Sequence, residues 1–327
     1  MHNRRTLACA LASAAAWATL PAARAQDPAW PSRQIRLVVG FPAGQSLDIG
    51  ARVISQKLTE ELGQSVYVDN RPGASGIIAH EFVKNAATDG YTLLMGSGAT
   101  LAINPSLYRK LPYDPIRDFT PVVLVNSSPM YLATAASTPV NNLRDMIAWV
   151  KARPGQVSYG SGGSGLTQHI AMEMLKTDAG LDMVHIPYKG SPAVVTDLIA
   201  GRVQFAFDTS TSILPHAASG RVKLIGISAA RRSPRTPEIP TIAEQGLPGF
   251  QALTWAALVG PAGLPAGVVE KLNAAVNRAL ASPQVQEHYA KAGSTINGGS
   301  AASFDQFLRQ ELQRWGPAVR TSGAQVD

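Results

Sequence analysis

The sequence predicts a two-lobed α/β protein with a ligand cleft between the lobes, and three observations predict it. Strand and helix patterns alternate through most of the 327 residues, an order that implies parallel sheets covered on both faces. Two glycine-rich turns, in different halves of the chain, each end an apolar run and open a segment with helical spacing. Two extended stretches, at 122–134 and 253–259, read as crossings between lobes. These crossings divide the chain into lobe 1, residues 26–125 with 253–327, and lobe 2, residues 126–252.

Taken in order, the β-branched run Ile35–Val39 is a strand. A helix follows over 48–62, with Val53, Ile54, Leu58 and Leu62 on one side. Residues 66–68 are the next strand, punctuated by Arg71-Pro72-Gly73. A helix over 75–86 and a strand over 91–95 complete a β-α-β-α-β unit. Residues 104–121 are rich in Pro, Asp and Arg and read as a long surface connection. The second lobe repeats the grammar, without sequence repetition. It has helices at 143–152, 167–177 and 193–200, and strands at 156–159, 183–187, 203–207 and 222–228. The four prolines within 231–250 mark an irregular return path, and amphipathic helices at 268–280 and 304–315 end the chain on lobe 1.

The first 25 residues form an address rather than part of the fold. Arg4 and Arg5 precede the alanine-rich apolar stretch 7–20, and Ala23-Arg24-Ala25 is an A-x-A cleavage signature. The adjacent arginines leave Sec and twin-arginine export both open. Cleavage after Ala25 leaves 26 basic against 22 acidic residues, a net charge of +4. It also removes Cys9, the only cysteine, which rules out thiol catalysis, zinc–thiolate sites and disulfides in the mature chain. No later run offers 18 apolar residues to span a membrane. The basic residues form no stripe interleaved with aromatics, so nucleic acid is not an expected partner.

The first turn runs Gly40-Phe41-Pro42-Ala43-Gly44-Gln45-Ser46 and the second Gly160-Ser161-Gly162-Gly163-Ser164-Gly165-Leu166-Thr167. At a strand-to-helix junction, free N–H groups and the positive end of the helix dipole face outward together, which makes a carboxylate or phosphate site. The second turn matches G-x-G-x-x-G. However, Asp182, the nearest acid for a ribose, lies at the wrong end of its strand, so a dinucleotide is not expected. Leu166 stands where a Walker lysine is required, and also interrupts a nucleophile elbow. Two readings of the second turn remain: a carboxylate cradle of bare amides and small hydroxyls, or simply a tight turn. In the first turn Gln45 is placed to enter the cleft and Ser46 is counted with it among the ligand-binding residues, while either Ser46 or Asp48 suits a helix cap. Asp208 ends a strand on the cleft edge and precedes Thr209, Ser210, Thr211 and Ser212. It is read as a ligand acceptor, with helix capping as the alternative. His169 and Glu173 pair on a solvent-facing side of their helix, His185 is a hydrogen-bonded core residue, and His80-Glu81 lacks the second histidine of a zinc motif. No cofactor and no metal are expected.

From Trp30 to about Trp315 the chain resembles the Bug family, the extracytoplasmic solute receptors of tripartite tricarboxylate transporters. The segments that carry the resemblance are Phe41-Pro42-Ala43-Gly44 through Asp48-Ile49-Gly50-Ala51-Arg52, Val68-Asp69-Asn70-Arg71-Pro72-Gly73-Ala74, and Leu111-Pro112-Tyr113-Asp114-Pro115-Ile116-Arg117-Asp118-Phe119. They continue with Tyr159-Gly160-Ser161-Gly162-Gly163-Ser164-Gly165, Pro187-Tyr188-Lys189-Gly190, Phe207-Asp208, and Pro240-Thr241-Ile242-Ala243-Glu244-Gln245-Gly246. The resemblance implies a periplasmic-binding-protein fold of type II, a Venus flytrap that grips a small carboxylate and delivers it to a membrane permease. By position it places Phe41, Ala43, Gly44, the stretch Ser161 to Gly165, Thr167 and Asp208 at the ligand. Gln45 replaces a usual second glycine, Leu47 a small polar residue and Leu101 a polar one, which implies an atypical ligand. A sensory receptor and an exported enzyme using Asp208, His169 or Glu173 are the rival readings. The hinge mechanism favours a monomer.

Overall fold

Apolar strands set the frame of the computed structural model, which describes residues 30–325. From Arg33 onward these residues cluster as one unit. β1 (Ile35–Val39) is flanked in parallel by β2 (Val66–Asn70) and β3 (Thr92–Ser97). Its burial on both faces explains its unbroken apolar run. β4 (Phe119–Ala135), β5 (Ser158–Ser161), β6 (Val184–Pro187), β7 (Phe205–Thr209) and β8 (Val222–Ile227) follow. β9 (Leu253–Pro261) and β10 (Thr295–Gly298) complete a 10-stranded sheet of order β2-β1-β3-β9-β4-β7-β5-β6, in which β8 and β10 both pair with β4.

The helices are α1 (Ser46–Leu62), α2 (Ile77–Lys84), α3 (Asn104–Leu107), α4 (Leu143–Lys151), α5 (Thr167–Ala179), α6 (Ser191–Ile199), α7 (Ser210–Ala218), α8 (Ala266–Ala281), α9 (Pro283–Ala292) and α10 (Ala301–Ser322). The alternation of strand and helix thus follows the sequence pattern, with α3, α7, α9 and β10 in addition to the expected elements. The predicted helix over 75–86 starts at Ile77, because Gly73, Ala74, Ser75 and Gly76 all have positive φ and form a left-handed turn. Residues 104–121 are not a surface connection. A π-helical turn (Ala99–Ile103) leads into α3, and Leu107, Tyr113 and Phe119 are buried in the core.

β4 is where the two halves of the sheet join. Its stretch from Phe119 to Pro129 pairs with β9, and from Met130 to Thr134 it pairs with β7. The expected boundary at residue 125 therefore falls inside one strand. The C-terminal segment is not confined to the first half either. α8 packs on α1, whereas α10 packs on α5 and on the π-helical turn. One apolar cluster accordingly joins Leu107, Tyr159, Phe205 and Trp315.

Candidate functional site

The sheet edge decides where a site can form. β5, β6 and β7 run parallel, as do β1 and β3, and their C-terminal ends feed loops that open helices. A cavity of about 860 Å³ lies at these loops. Four helices start at it, α1, α5, α6 and α7, and none of their N-cap residues (Gln45, Leu166, Gly190, Thr209) makes a side-chain cap bond. Ile49 N–H donates to Gln45 O at 2.9 Å, and Ile170 N–H to Leu166 O at 3.2 Å. The amides ahead of them, Ser46 to Asp48 and Thr167 to His169, precede the first intrahelical acceptor. Each such end favours an anion by roughly 0.3–1 kcal/mol.

The side chains agree in sign. Among the described residues that line the cavity, Lys189 is the only charged one and none is a carboxylate. Hydroxyls are frequent, among them Ser46, Thr167, Ser191, Thr211 and Ser212, while Phe41, Leu47, Met95, Leu166 and Trp255 supply apolar wall.

Two buried acids lie behind this surface. Asp208 on β7 is 1% exposed and does not line the cavity. Its Oδ1 accepts Ser191 Oγ and Thr209 N–H, each at 2.8 Å. The side chains of Ser212 and Gln168 bond it as well. Burial pushes its pKa up to about 6 against the pull of these four donors. Asp208 thus supports the cavity wall, because Ser191, Thr209, Ser212 and Gln168 all line it, whereas Asp208, read from sequence as a ligand acceptor with helix capping as the alternative, does not line it. Asp48 does the same for the first turn. It accepts Gly44 N–H at 2.8 Å, Asn70 Nδ2 at 2.8 Å and Arg52 Nε at 3.0 Å. Burial opposes its charge, but Arg52, Gly44 and Asn70 hold its pKa below the usual carboxylate range.

Of the residues expected at the ligand, Phe41, Gly44, Gln45, Ser46, Gly162 and Thr167 line the cavity. Ala43 is exposed on the first turn without lining it. Ser161, Gly163, Ser164 and Gly165 lie off the cavity, because the turn is consumed by its own support. Ser161 Oγ donates to Gly163 O at 3.0 Å and sits 2.7 Å from His185 Nε2. Gly165 N–H donates to His169 Nδ1 at 3.0 Å, and Leu107 covers Gly165 so closely that a Cβ there would stand 2.1 Å from its Cδ2. Ser164 instead faces a second cavity of about 360 Å³ with His169, Glu173, Lys176 and His185.

His169 and Glu173 are therefore not on a solvent-facing side. His169 stacks on His185 with centroids 3.8 Å apart, and Glu173 accepts from Tyr159 OH and, at 2.8 Å, from Lys176 Nζ. Burial, then Lys176, lowers the His169 pKa to about 4; burial, then His169, lowers that of His185 to about 4. Leu101 is fully buried beneath Gly96 and does not line the cavity, so it cannot select the ligand directly; Leu47 and Gln45 do line it. Among the described residues no group of three His, Cys, Asp or Glu is placed to hold a metal.

Sequence reasoning missed Asn126, Ser128, Thr254 and Trp255, which the crossing strands β4 and β9 place in the wall, and Tyr289 and Ser294 near the C-terminus. The crossings themselves were the available signal for the first four. Nothing local marks Tyr289.

Comparison with known proteins matches the same architecture. Residues 50–324 fit the model of the tripartite tricarboxylate transporter family receptor, TctC. Protein BugT of Bordetella pertussis is 37% identical over 298 residues, covering 91% of each chain. An R. palustris protein solved with adipate superposes with a TM-score of 0.81 at 36% identity, over 90% of this chain and 98% of that one. MatC of Rhodopseudomonas palustris, solved with bound malate, gives 0.78 at 32% identity, over 89% and 100%. The fold is thus the two-lobed α/β fold of periplasmic binding proteins. The chain belongs to the tripartite tricarboxylate transporter receptor family.

Proposed function

We propose that this chain is a periplasmic receptor that captures a small carboxylate in the 860 Å³ cavity and hands it to a membrane permease of the tripartite tricarboxylate type. One observation carries the reading: four helix N-termini without a side-chain cap bond open onto a cavity whose only charged side chain among the described residues is a lysine. The solved relatives bound to adipate and malate favour the same ligand class. Residues 1–25, which lie outside the described residues, serve as the export signal, removed after Ala25. Lobe 1 comprises 26–125 with 253–327 and lobe 2 comprises 126–252, hinged where β4 and β9 pass between them. The receptor acts as a monomer.

The magnitudes close. A micromolar complex needs about 8 kcal/mol. Charge-assisted hydrogen bonds of about 1.5–3 kcal/mol each, with the helix-end contributions, reach that figure after ordering costs. An enzymatic role finds no support in the cavity, because Asp208, His169 and Glu173 do not line it.

The test is a thermal-shift titration of the refolded mature protein against C4–C8 dicarboxylates, tricarboxylates, acidic amino acids, aromatic acids and neutral amides. A dose-dependent rise with one carboxylate class is expected. A response to neutral compounds alone would overturn the anion chemistry.

A further inference from the structure

Tyr289 brings a phenol to the cavity from the C-terminal segment. It lies on α9, is 4% exposed, and lines the cavity. Its hydroxyl makes no hydrogen bond to any described residue, and burial raises its pKa, so the proton stays on the phenol oxygen. The hydroxyl is not among the buried polar atoms that lack a partner, so it is reached from the cavity and is satisfied by whatever occupies it. The position of that hydroxyl is specific. A Cβ on Gly50 would stand 3.2 Å from the Tyr289 oxygen, closer than nearly all real contacts of that kind. Gly50 therefore leaves room for the phenol to lie against the first turns of α1. Ser46 and Leu47, four and three residues earlier, share that helix face and also line the cavity. The phenol O–H and the open α1 N-terminus thus address the same space.

We propose that Tyr289 is a specificity-determining residue of the receptor, its phenol donating a hydrogen bond to a carboxylate oxygen of the ligand held at the α1 N-terminus. The inference rests on the carboxylate reading of the cavity. It adds a side-chain donor from the C-terminal segment to the amides of the strand-to-helix turns. Because the phenol is a donor with no charge, it favours an oxygen acceptor at this position over an ammonium.

The experiment is calorimetric titration of the refolded wild type, Tyr289→Phe and Gly50→Ala against the C4–C8 dicarboxylates, with melting temperatures of the ligand-free proteins. Tyr289→Phe removes only the hydroxyl and should raise Kd for the tightest dicarboxylate about 10-fold or more, with an unchanged ligand-free melting temperature. Gly50→Ala keeps the phenol but crowds it. It should weaken binding, with a melting temperature set by alanine's better helix propensity against the crowding of the phenol. Equal affinity of wild type and Tyr289→Phe would overturn the inference alone, as would a ligand-free Tyr289→Phe that melts several degrees lower. A wild type that binds no member of the series would overturn the carboxylate reading, and the inference with it.

Discussion

Gln45 shows how one residue can serve two purposes. It is the N-cap of α1, yet its side chain makes no cap bond and lines the cavity. Glycine caps almost as well as polar residues, so Gln45→Gly should leave the melting temperature nearly unchanged while altering which carboxylates bind. Identical ligand profiles for the two proteins would remove Gln45 from the selectivity determinants. Asp208 acts one layer back. Asp208→Asn replaces one acceptor oxygen with a donor, which leaves Ser191, Thr209, Ser212 and Gln168 competing for the other. Affinity for the tightest carboxylate should fall about 10-fold, the equivalent of one lost hydrogen bond, as read by calorimetric titration. The sequence singled out both residues, placing Gln45 at the cleft and leaving Asp208 between ligand acceptor and helix cap. That distinction depends on which side of β7 faces the cavity, and a single aspartate at a strand end reads the same either way.

At the scale of elements, the second glycine-rich turn is a structural joint as much as a cradle. Gly165 has φ +78 and lies beneath Leu107, which α3 delivers from the other half of the sheet. Gly165→Ala brings a left-handed alanine and a clash, at about 1–2 kcal/mol for the backbone and about 1–3 kcal/mol for overpacking. Chemical denaturation should show a loss within that combined range, and Leu107→Ala in the same chain should recover the overpacking part. A double mutant as unstable as the sum of the singles would show that the two residues do not meet. This contact was not legible in sequence, because the reading treated 104–121 as a loose surface connection. Its prolines and charges hide a buried set spaced irregularly: Leu107, Tyr113 and Phe119. The helix and strand patterns elsewhere were legible, since their periodicity is set by burial on one face.

For the whole molecule, the stacked His169 and His185 couple stability to pH. Both have folded pKa values of about 4, below the ordinary 6.5, so their stabilising contribution is complete above pH 6.5 and is lost as pH falls through 4. Asp208, raised to about 6 from 3.8, works in the opposite sense: its contribution is present below 3.8 and is lost as pH rises through 6. His80, whose pKa burial also lowers to about 4, acts in the same sense, so three histidines against one aspartate leave a net loss on acidification of up to about 3 kcal/mol per pH unit. Melting temperature should therefore drop between pH 6.5 and 5 in the wild type. In the double variant His169→Asn, His185→Asn the trend should flatten or reverse; a slope equal to that of the wild type would refute the assignment.

The sequence by itself determined the α/β alternation, the two glycine-rich turns at strand ends, the two crossings and the confinement of the single cysteine to position 9. These are local or compositional properties, written in periodicity, turn residues and cysteine count. It also carried the family resemblance, which the comparisons bear out. Only the tertiary structure decided which face of each turn looks into the cavity. It moved Asp208 behind the wall, spent Ser161 and Gly165 on histidines, sent Leu101 into the core and brought Tyr289 against Gly50, 239 positions away in the chain. The physical reason is that a lining residue is defined by neighbours that converge from distant strands, and no spacing along one segment records where those neighbours arrive.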